Sequence, residues 1–176
     1  MSGIFLGLGS NLGDRAANLC LAVQLLAEYG IETLNKSSIW ETLPVPPDQP
    51  SFFNACVEVS TNASSVEILD IVKEIEFIIG RRPSKHWGPR PIDIDILLFR
   101  KEIINSEKLT IPHVYLSSRP FVLLPLNEIC RDPIPGLNVT VPNLLSKLKY
   151  VEGVEAVRLG IDFCNLSDSS VSLIHI

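Results

Sequence analysis

The chain has little of what closed metal sites, covalent staples or membrane spans require. Three histidines occur in 176 residues, none close to another. The four cysteines, Cys20, Cys56, Cys130 and Cys164, are scattered, with no C-x-x-C pair. That spacing argues against a zinc motif or a disulfide scaffold and suits a reducing compartment. No apolar run approaches the roughly 20 residues that cross a bilayer. Residues 1–5 show neither the basic stretch nor the long apolar one of a secretory leader, so the expected location is cytoplasmic. Positive charge is also short: 15 Lys and Arg against 20 Asp and Glu, net -5, leave no global footprint for nucleic acid. Internal repeats and low-complexity tracts are missing as well.

What the chain does have is material for a core. Its 46% hydrophobic content, rich in Val, Ile and Leu, suits one domain over residues 1–150, with an extension or linker over 151–176. Gly3–Leu8 reads as a buried strand broken by Gly9, Ser10 and Asn11. Asn11 is placed to cap a helix whose apolar face is Leu12, Ala16, Leu19, Val23 and Leu26, ended by Gly30. Gly7, Gly9 and Gly13 are spaced G-x-G-x-x-x-G, which is not the dinucleotide fingerprint, and a strand-to-helix turn explains them. Residues 31–42 are extended. Leu43 to Pro50 holds four prolines, a stiff loop that is either the lip of a site or a plain connector.

Ser51–Thr61 alternates, with Phe53, Ala55, Val57 and Val59 toward a core and Phe52, Asn54, Cys56 and Glu58 on the other face. An aromatic ring beside a side-chain amide suits a flat heterocycle, and it also fits an ordinary half-exposed strand face. Ser64 and Glu67 form a capping box for a helix with a buried stripe of Val66, Leu69, Val72, Ile75 and Ile79, ended by Gly80. Short strands are expected at Ile103–Ile104 and Val139–Val141, and a helix at Asn143–Lys149. Residues 151–176 carry no assignable element. The order of elements predicts an α+β fold, a ferredoxin-like sandwich with helices covering one face of a mainly antiparallel sheet. A doubly wound parallel sheet is the alternative.

The richest stretch is Gly80–Phe99. Arg81, Arg82, Lys85 and Arg90, with His86 and Trp87, form a cationic block without an acid. The strict alternation Ile92-Asp93-Ile94-Asp95-Ile96 follows. Residues two apart on a strand point the same way, so Asp93 and Asp95 share a face opposite the isoleucines. Two such carboxylates fit a pair of magnesium ions about 3.5–4 Å apart, or else a salt bridge to Arg90 or Lys85. The cations fit phosphate oxygens, in a loop that either closes over a ligand or stays solvated. A second cluster, Lys108, His113, Tyr115 and Arg119, has phosphate-binding composition. Lys73 and Glu76 sit near the end of the preceding helix, turned toward the same region.

Several motifs together resemble the 6-hydroxymethyl-7,8-dihydropterin pyrophosphokinase family of folate biosynthesis. They are G-L-G-S-N-L-G at 7–13, D-Q-P-S-F-F-N-A at 48–55, G-R at 80–81, W-G-P-R-P-I-D-I-D-I-L-L-F at 87–99, L-T-I-P-H at 109–113 and R-P-F-V-L-L-P-L at 119–126. The resemblance implies a ferredoxin-like fold and transfer of the pyrophosphoryl group of ATP, as co-substrate, to the pterin hydroxymethyl, releasing AMP. It implies Asp93 and Asp95 as ligands of two Mg2+ ions. Arg81 and Arg90 would stabilise charge, with Trp87 closing over the site. The pterin would contact Thr42, Pro44, Val45, Phe52, Asn54, Asp95 and Phe121. ATP would contact Lys73, Glu76, Arg81, Arg82, Lys85, Trp87, Arg90, Ile96, Lys108, Thr110, His113, Tyr115 and Arg119. Members of the family are often fused to a neighbouring folate enzyme, so fusion or association is the implied partnership, with no nucleic acid and no membrane. The chain differs from the family pattern at Val114, where some members carry tyrosine, at Phe52, which lacks a tyrosine hydroxyl, and in an arginine-rich loop one residue shorter. A nucleotide-binding module without turnover and an ordinary kinase releasing ADP are the competing functional classes.

Overall fold

A computed structural model describes residues 3–44, 47–83, 88–148, 156–159 and 173–174. In chain order the elements begin β1 (Ile4–Ser10), α1 (Arg15–Glu28), β2 (Glu32–Lys36), β3 (Ile39–Thr42), β4 (Phe52–Ser60), α2 (Ser65–Ile79) and β5 (Asp93–Phe99). They continue with β6 (Ile104–Asn105), β7 (Thr110–Ile111), α3 (Pro120–Ile129), α4 (Val141–Lys147), β8 (Ala156–Leu159) and β9 (Leu173–Ile174). Seven strands form one sheet in the order β5-β1-β4-β3-β8-β9, with β2 also beside β4. Every pairing in it is antiparallel, so the α+β expectation holds and the doubly wound alternative falls.

β1 lies between β5 and β4 and is buried along most of its length because helices cover both faces of the sheet. On one side α1 and α2 pack Leu19, Leu26, Ile68, Val72 and Ile75 onto Leu6, Ala55, Val57, Ile92, Ile94 and Ile96. On the other, Leu123 and Leu126 of α3 and Leu144 of α4 meet Phe5, Cys56 and Leu97. The expectation of helices on one face is therefore corrected. The Val122–Ile129 run is apolar nearly all round, which hides helical periodicity, and Pro120 starts it at a position where a missing N–H costs nothing.

Other boundaries shift for local reasons. Asp14, not Asn11, caps α1, accepting from the Ala17 N–H at 3.0 Å. The capping box starts α2 as expected, but Val66 is 56% exposed and Ile68 takes its place in the stripe. Residues two apart on a helix point to nearly opposite sides, so one of the pair must face water. Ile103 is exposed and lies outside any strand, and Ile104–Asn105 pairs with β7 in a separate two-stranded sheet. Val141 begins α4 rather than ending a strand.

Within the segment left unassigned from sequence, β8 pairs with β3, from Ile39 opposite Leu159 to Thr42 opposite Ala156. Glu128 of α3 clasps this edge, accepting from the Ser38 N–H at 2.7 Å and the Trp40 indole at 2.9 Å and forming an ion pair with Arg158 at 3.3 Å. No helix among the described residues is long and apolar enough to cross a membrane.

Candidate active site

The site begins as a floor of backbone. The antiparallel register sets Gly9 between Asn54 of β4 and Asp93 of β5, and Gly7 between Cys56 and Asp95. All six positions face the α3 side of the sheet. A Cβ on Gly9 would stand 3.1 Å from Asn54 Oδ1, and one on Gly7 3.3 Å from Leu97. The two glycines therefore keep the middle strand flat. The trough they leave is about 750 Å3, a size that holds a ligand larger than a single ring.

Three segments raise walls around it. Gly80, with φ of 115°, ends α2 in the left-handed region and turns the chain back, so that the Arg81 N–H donates to Glu76 O at 2.8 Å. This aims the Arg81 guanidinium at β5. Glu76 is 3% exposed and fixes that geometry: its Oε1 accepts the Ile94 backbone N–H at 2.8 Å and lies 2.6 Å from Arg81, while Lys73 reaches it at 3.0 Å. Burial pushes the Glu76 pKa up, and these partners offset only part of that rise.

Asp93 pairs with Arg81 and, at 3.0 Å, with Arg90. Burial acts to raise its pKa, but the charges of Arg81, Arg90 and Lys73 together outweigh burial and hold it below the ordinary 3.8. Asp95 differs. Its contacts are longer, 3.4 Å to Arg119 and 3.7 Å to His113. Burial and then the Asp93 charge push its pKa above the ordinary value, and His113 and Arg119 do not compensate. Burial also lowers the His113 pKa, more than Asp95 raises it.

The far end of the trough is neutral. Asn54, 8% exposed, donates to the Thr42 hydroxyl at 2.7 Å, which leaves its carbonyl oxygen beside Gly9. Phe52 and Phe121 stand half-buried along the same end. The Arg119 guanidinium lies 4.7 Å from the Tyr115 ring centre and 5.8 Å from that of Phe121, joining the two ends. Acids flanked by guanidinium groups at one end and rings with an amide at the other can hold a polyphosphate against a flat heterocycle.

The model of the 7,8-dihydro-6-hydroxymethylpterin-pyrophosphokinase (HPPK) family matches residues 5–131. The chain belongs to this family. A 2-amino-4-hydroxy-6-hydroxymethyldihydropteridine pyrophosphokinase of Bacillus subtilis is 46% identical over 130 residues, 73% of this chain and 78% of that protein. One of the same name from Methylorubrum extorquens is 40% identical over 160 residues, 90% of this chain and all of that protein. Among solved structures, Plasmodium falciparum HPPK-DHPS with pteroate superposes with a TM-score of 0.76 at 18% identity, covering 98% of this chain and 49% of that one. The chain thus spans about half the length of the solved chain, and that likeness speaks to the fold.

Most residues expected from the family resemblance come together. Thr42, Phe52, Asn54, Lys73, Glu76, Arg81, Arg82, Arg90, Asp93, Asp95, His113, Tyr115, Arg119 and Phe121 line the one cleft. Four do not line it. Ile96 is on the core face with Ile92 and Ile94, as the strand period demands. Lys108 is exposed, Thr110 lies in β7, and Pro44 is buried outside the lining. Val45, Lys85 and Trp87 lie outside the described residues. Gly7 and Gly9, taken from sequence as part of a turn, belong to the floor instead; their alternation in phase with Asn54 and Cys56 was the available signal. Leu43 and Phe77 also line the cleft without having been expected there.

The expected salt-bridge alternative for the carboxylates is realised at Asp93, which pairs with Arg90 and also with Arg81. The donor set still suits magnesium. Among the described residues no three His, Cys, Asp or Glu side chains form a closed cage. Magnesium commonly takes one or two carboxylates and completes its shell with water and phosphate oxygens. After burial, repulsion from Asp93 is what raises the Asp95 pKa, and a cation between the two carboxylates would relieve that repulsion.

Proposed function

We propose that the chain transfers the pyrophosphoryl group of ATP to the hydroxymethyl of 6-hydroxymethyl-7,8-dihydropterin, releasing AMP, with Asp93 and Asp95 holding two magnesium ions. The reaction class, pyrophosphoryl transfer in folate biosynthesis, comes with family membership. The observation that carries the finer reading is the register across β5, β1 and β4, which puts Asp93, Gly9 and Asn54 in one row. Acceptor end and phosphate end of the cleft are then only two strand spacings apart, about 10 Å.

Magnesium, when bound, supplies charge neutralisation on the phosphate oxygens and acidifies a neighbouring hydroxyl. The chain's own residues bind and orient. Arg81, held by Glu76, and Arg90, held beside Gly88 O at 3.1 Å, present guanidinium forks to a phosphate chain lying over the carboxylates. His113, Arg119, Tyr115, Lys73 and Arg82 bound the ATP side, with Lys85 and Trp87 assigned there on the family pattern. Phe52 and Phe121 stack the pterin, and Asn54 and Thr42 read its edge, with Pro44 and Val45 assigned to the same side. Rate enhancement rests on in-line positioning and electrostatic stabilisation. Fusion to, or association with, another folate enzyme, supported by the HPPK-DHPS name of the solved chain, and a cytoplasmic location complete the reading.

Product analysis tests it. Incubation with ATP, magnesium and the hydroxymethyl pterin should release AMP in step with pterin diphosphate. ADP release would indicate an ordinary kinase, and binding without turnover would indicate a nucleotide-binding module; either result overturns the proposal.

A further inference from the structure

Asn11 does not line the cleft, yet its side chain touches both loops that border it. It is 1% exposed. Its Oδ1 accepts the Arg90 backbone N–H at 2.7 Å, and its own backbone N–H donates to Arg90 O at 3.1 Å. Its Nδ2 donates to Gln49 Oε1 and to Pro50 O, both at 3.3 Å. Residues 49 and 50 close the proline-rich loop that begins at Thr42 and Leu43 on the neutral end of the cleft. Arg90 belongs to the charged end, where it pairs with Asp93. A primary amide offers one acceptor oxygen and two donor hydrogens on a short, planar group. Here the oxygen serves one loop and the nitrogen serves the other.

We infer that Asn11 is a positioning residue for pyrophosphoryl transfer: one buried amide sets the Arg90 segment and the end of the proline-rich loop in a common register. The inference rests on the function proposed above. A second network leaves the loop's other anchor intact when Asn11 is changed. Arg15 Nη1 meets Glu41 Oε1 and Ser51 O, each at 2.9 Å, so the loop stays attached while its alignment with Arg90 is lost.

The test compares Asn11→Ala, Asn11→Asp and Gln49→Ala with the unmodified chain. AMP release is measured per folded molecule, and thermal unfolding reports the folded fraction. Asn11→Ala removes the side-chain link between the two loops, and kcat should fall on the order of 10- to 100-fold as the reacting groups lose alignment. Asn11→Asp can still accept the Arg90 N–H but sets a carboxylate against two oxygens. It should raise the pterin KM about 3- to 10-fold and leave kcat near the unmodified value. Gln49→Ala, at a half-buried loop position, should raise the pterin KM in the same direction with the ATP KM unchanged. If Asn11→Ala does not fold, the other two variants decide. Unaltered kcat and KM per folded molecule would overturn the inference, because a purely structural Asn11 changes only how much enzyme is folded. An unmodified chain that releases no AMP overturns the proposed function, and this inference with it.

Discussion

The two faces of the sheet use the same three strands in opposite ways. Toward α1 and α2, the β1, β4 and β5 side chains are Leu, Ala, Val, Ile and Phe in one apolar cluster, buried apart from the partly covered Phe53. Toward α3 and α4, the same strands make apolar contact at Phe5, Cys56, Leu97 and Leu98, and beyond these come Gly7, Gly9, Asn54, Asp93 and Asp95. The first face stabilises the domain. The second is left partly uncovered, and its polar groups carry the chemistry. Period two lets one strand do both, because neighbouring residues of a regular strand point to opposite faces.

The largest test of this division is Asp95→Ala. Turnover should fall on the order of 1,000-fold, the scale expected when a group that organises transition-state charge is removed, while thermal unfolding is not lowered. Chelation of magnesium should give the same loss, reversed by adding the metal back. Full activity in Asp95→Ala at ordinary magnesium would sink the two-metal assignment. The mirror experiment is Leu6→Ala on the closed face. It should cost about 2–5 kcal/mol in denaturant unfolding and leave kcat and KM of the folded fraction unchanged; a matching loss of kcat would show that the faces are not independent.

Gly9→Ala probes the floor. The new methyl meets Asn54 Oδ1 at 3.1 Å and Phe52 at 3.7 Å, so the pterin KM should rise about tenfold through lost alignment with a smaller change in the ATP KM. An unchanged pterin KM would place the ring elsewhere.

Adjacent carboxylates on the open face should respond to pH with opposite sign. Asp93 has a folded pKa below its unfolded value, so its stabilisation is present above 3.8 and lost as pH falls through the lowered value. Asp95 has a folded pKa above its unfolded value, so stability is highest while it is protonated and falls as pH rises from 3.8 through the raised value. At neutral pH without magnesium, Asp93→Asn should lower the melting temperature and Asp95→Asn should raise it. The same direction for both would contradict the charge arrangement. Smallest is Ser64→Ala, remote from the cleft, which removes the α2 cap and should cost about 1 kcal/mol with no kinetic effect.

Much of this was legible from residues alone, where local physics suffices. The Ile92–Ile96 alternation put the aspartates on one side, Ser64 with Glu67 announced α2, and Gly80 ended it. Legibility failed where the deciding partner is far along the chain. Gly7 and Gly9 resembled a turn until β4 and β5 flanked them, and Val122–Ile129 lacked a polar side because the sheet and α4 enclose it. Ile96 fits the family pattern while its side chain packs in the core, and Lys108 fits it while lying exposed.

By itself, the sequence determined β1, α1, β4, α2 and β5, the shared face of Asp93 and Asp95, and the kind of chemistry their cationic neighbours support, since each depends on spacing within one segment. Only the tertiary structure decided that Arg81 reaches Asp93, that Glu76 is buried beneath it, that Asn11 joins two loops, and that an amide and a pair of acids lie in register across two glycines. Those facts depend on which strands become neighbours, and register between strands is set by the packing of the whole sheet.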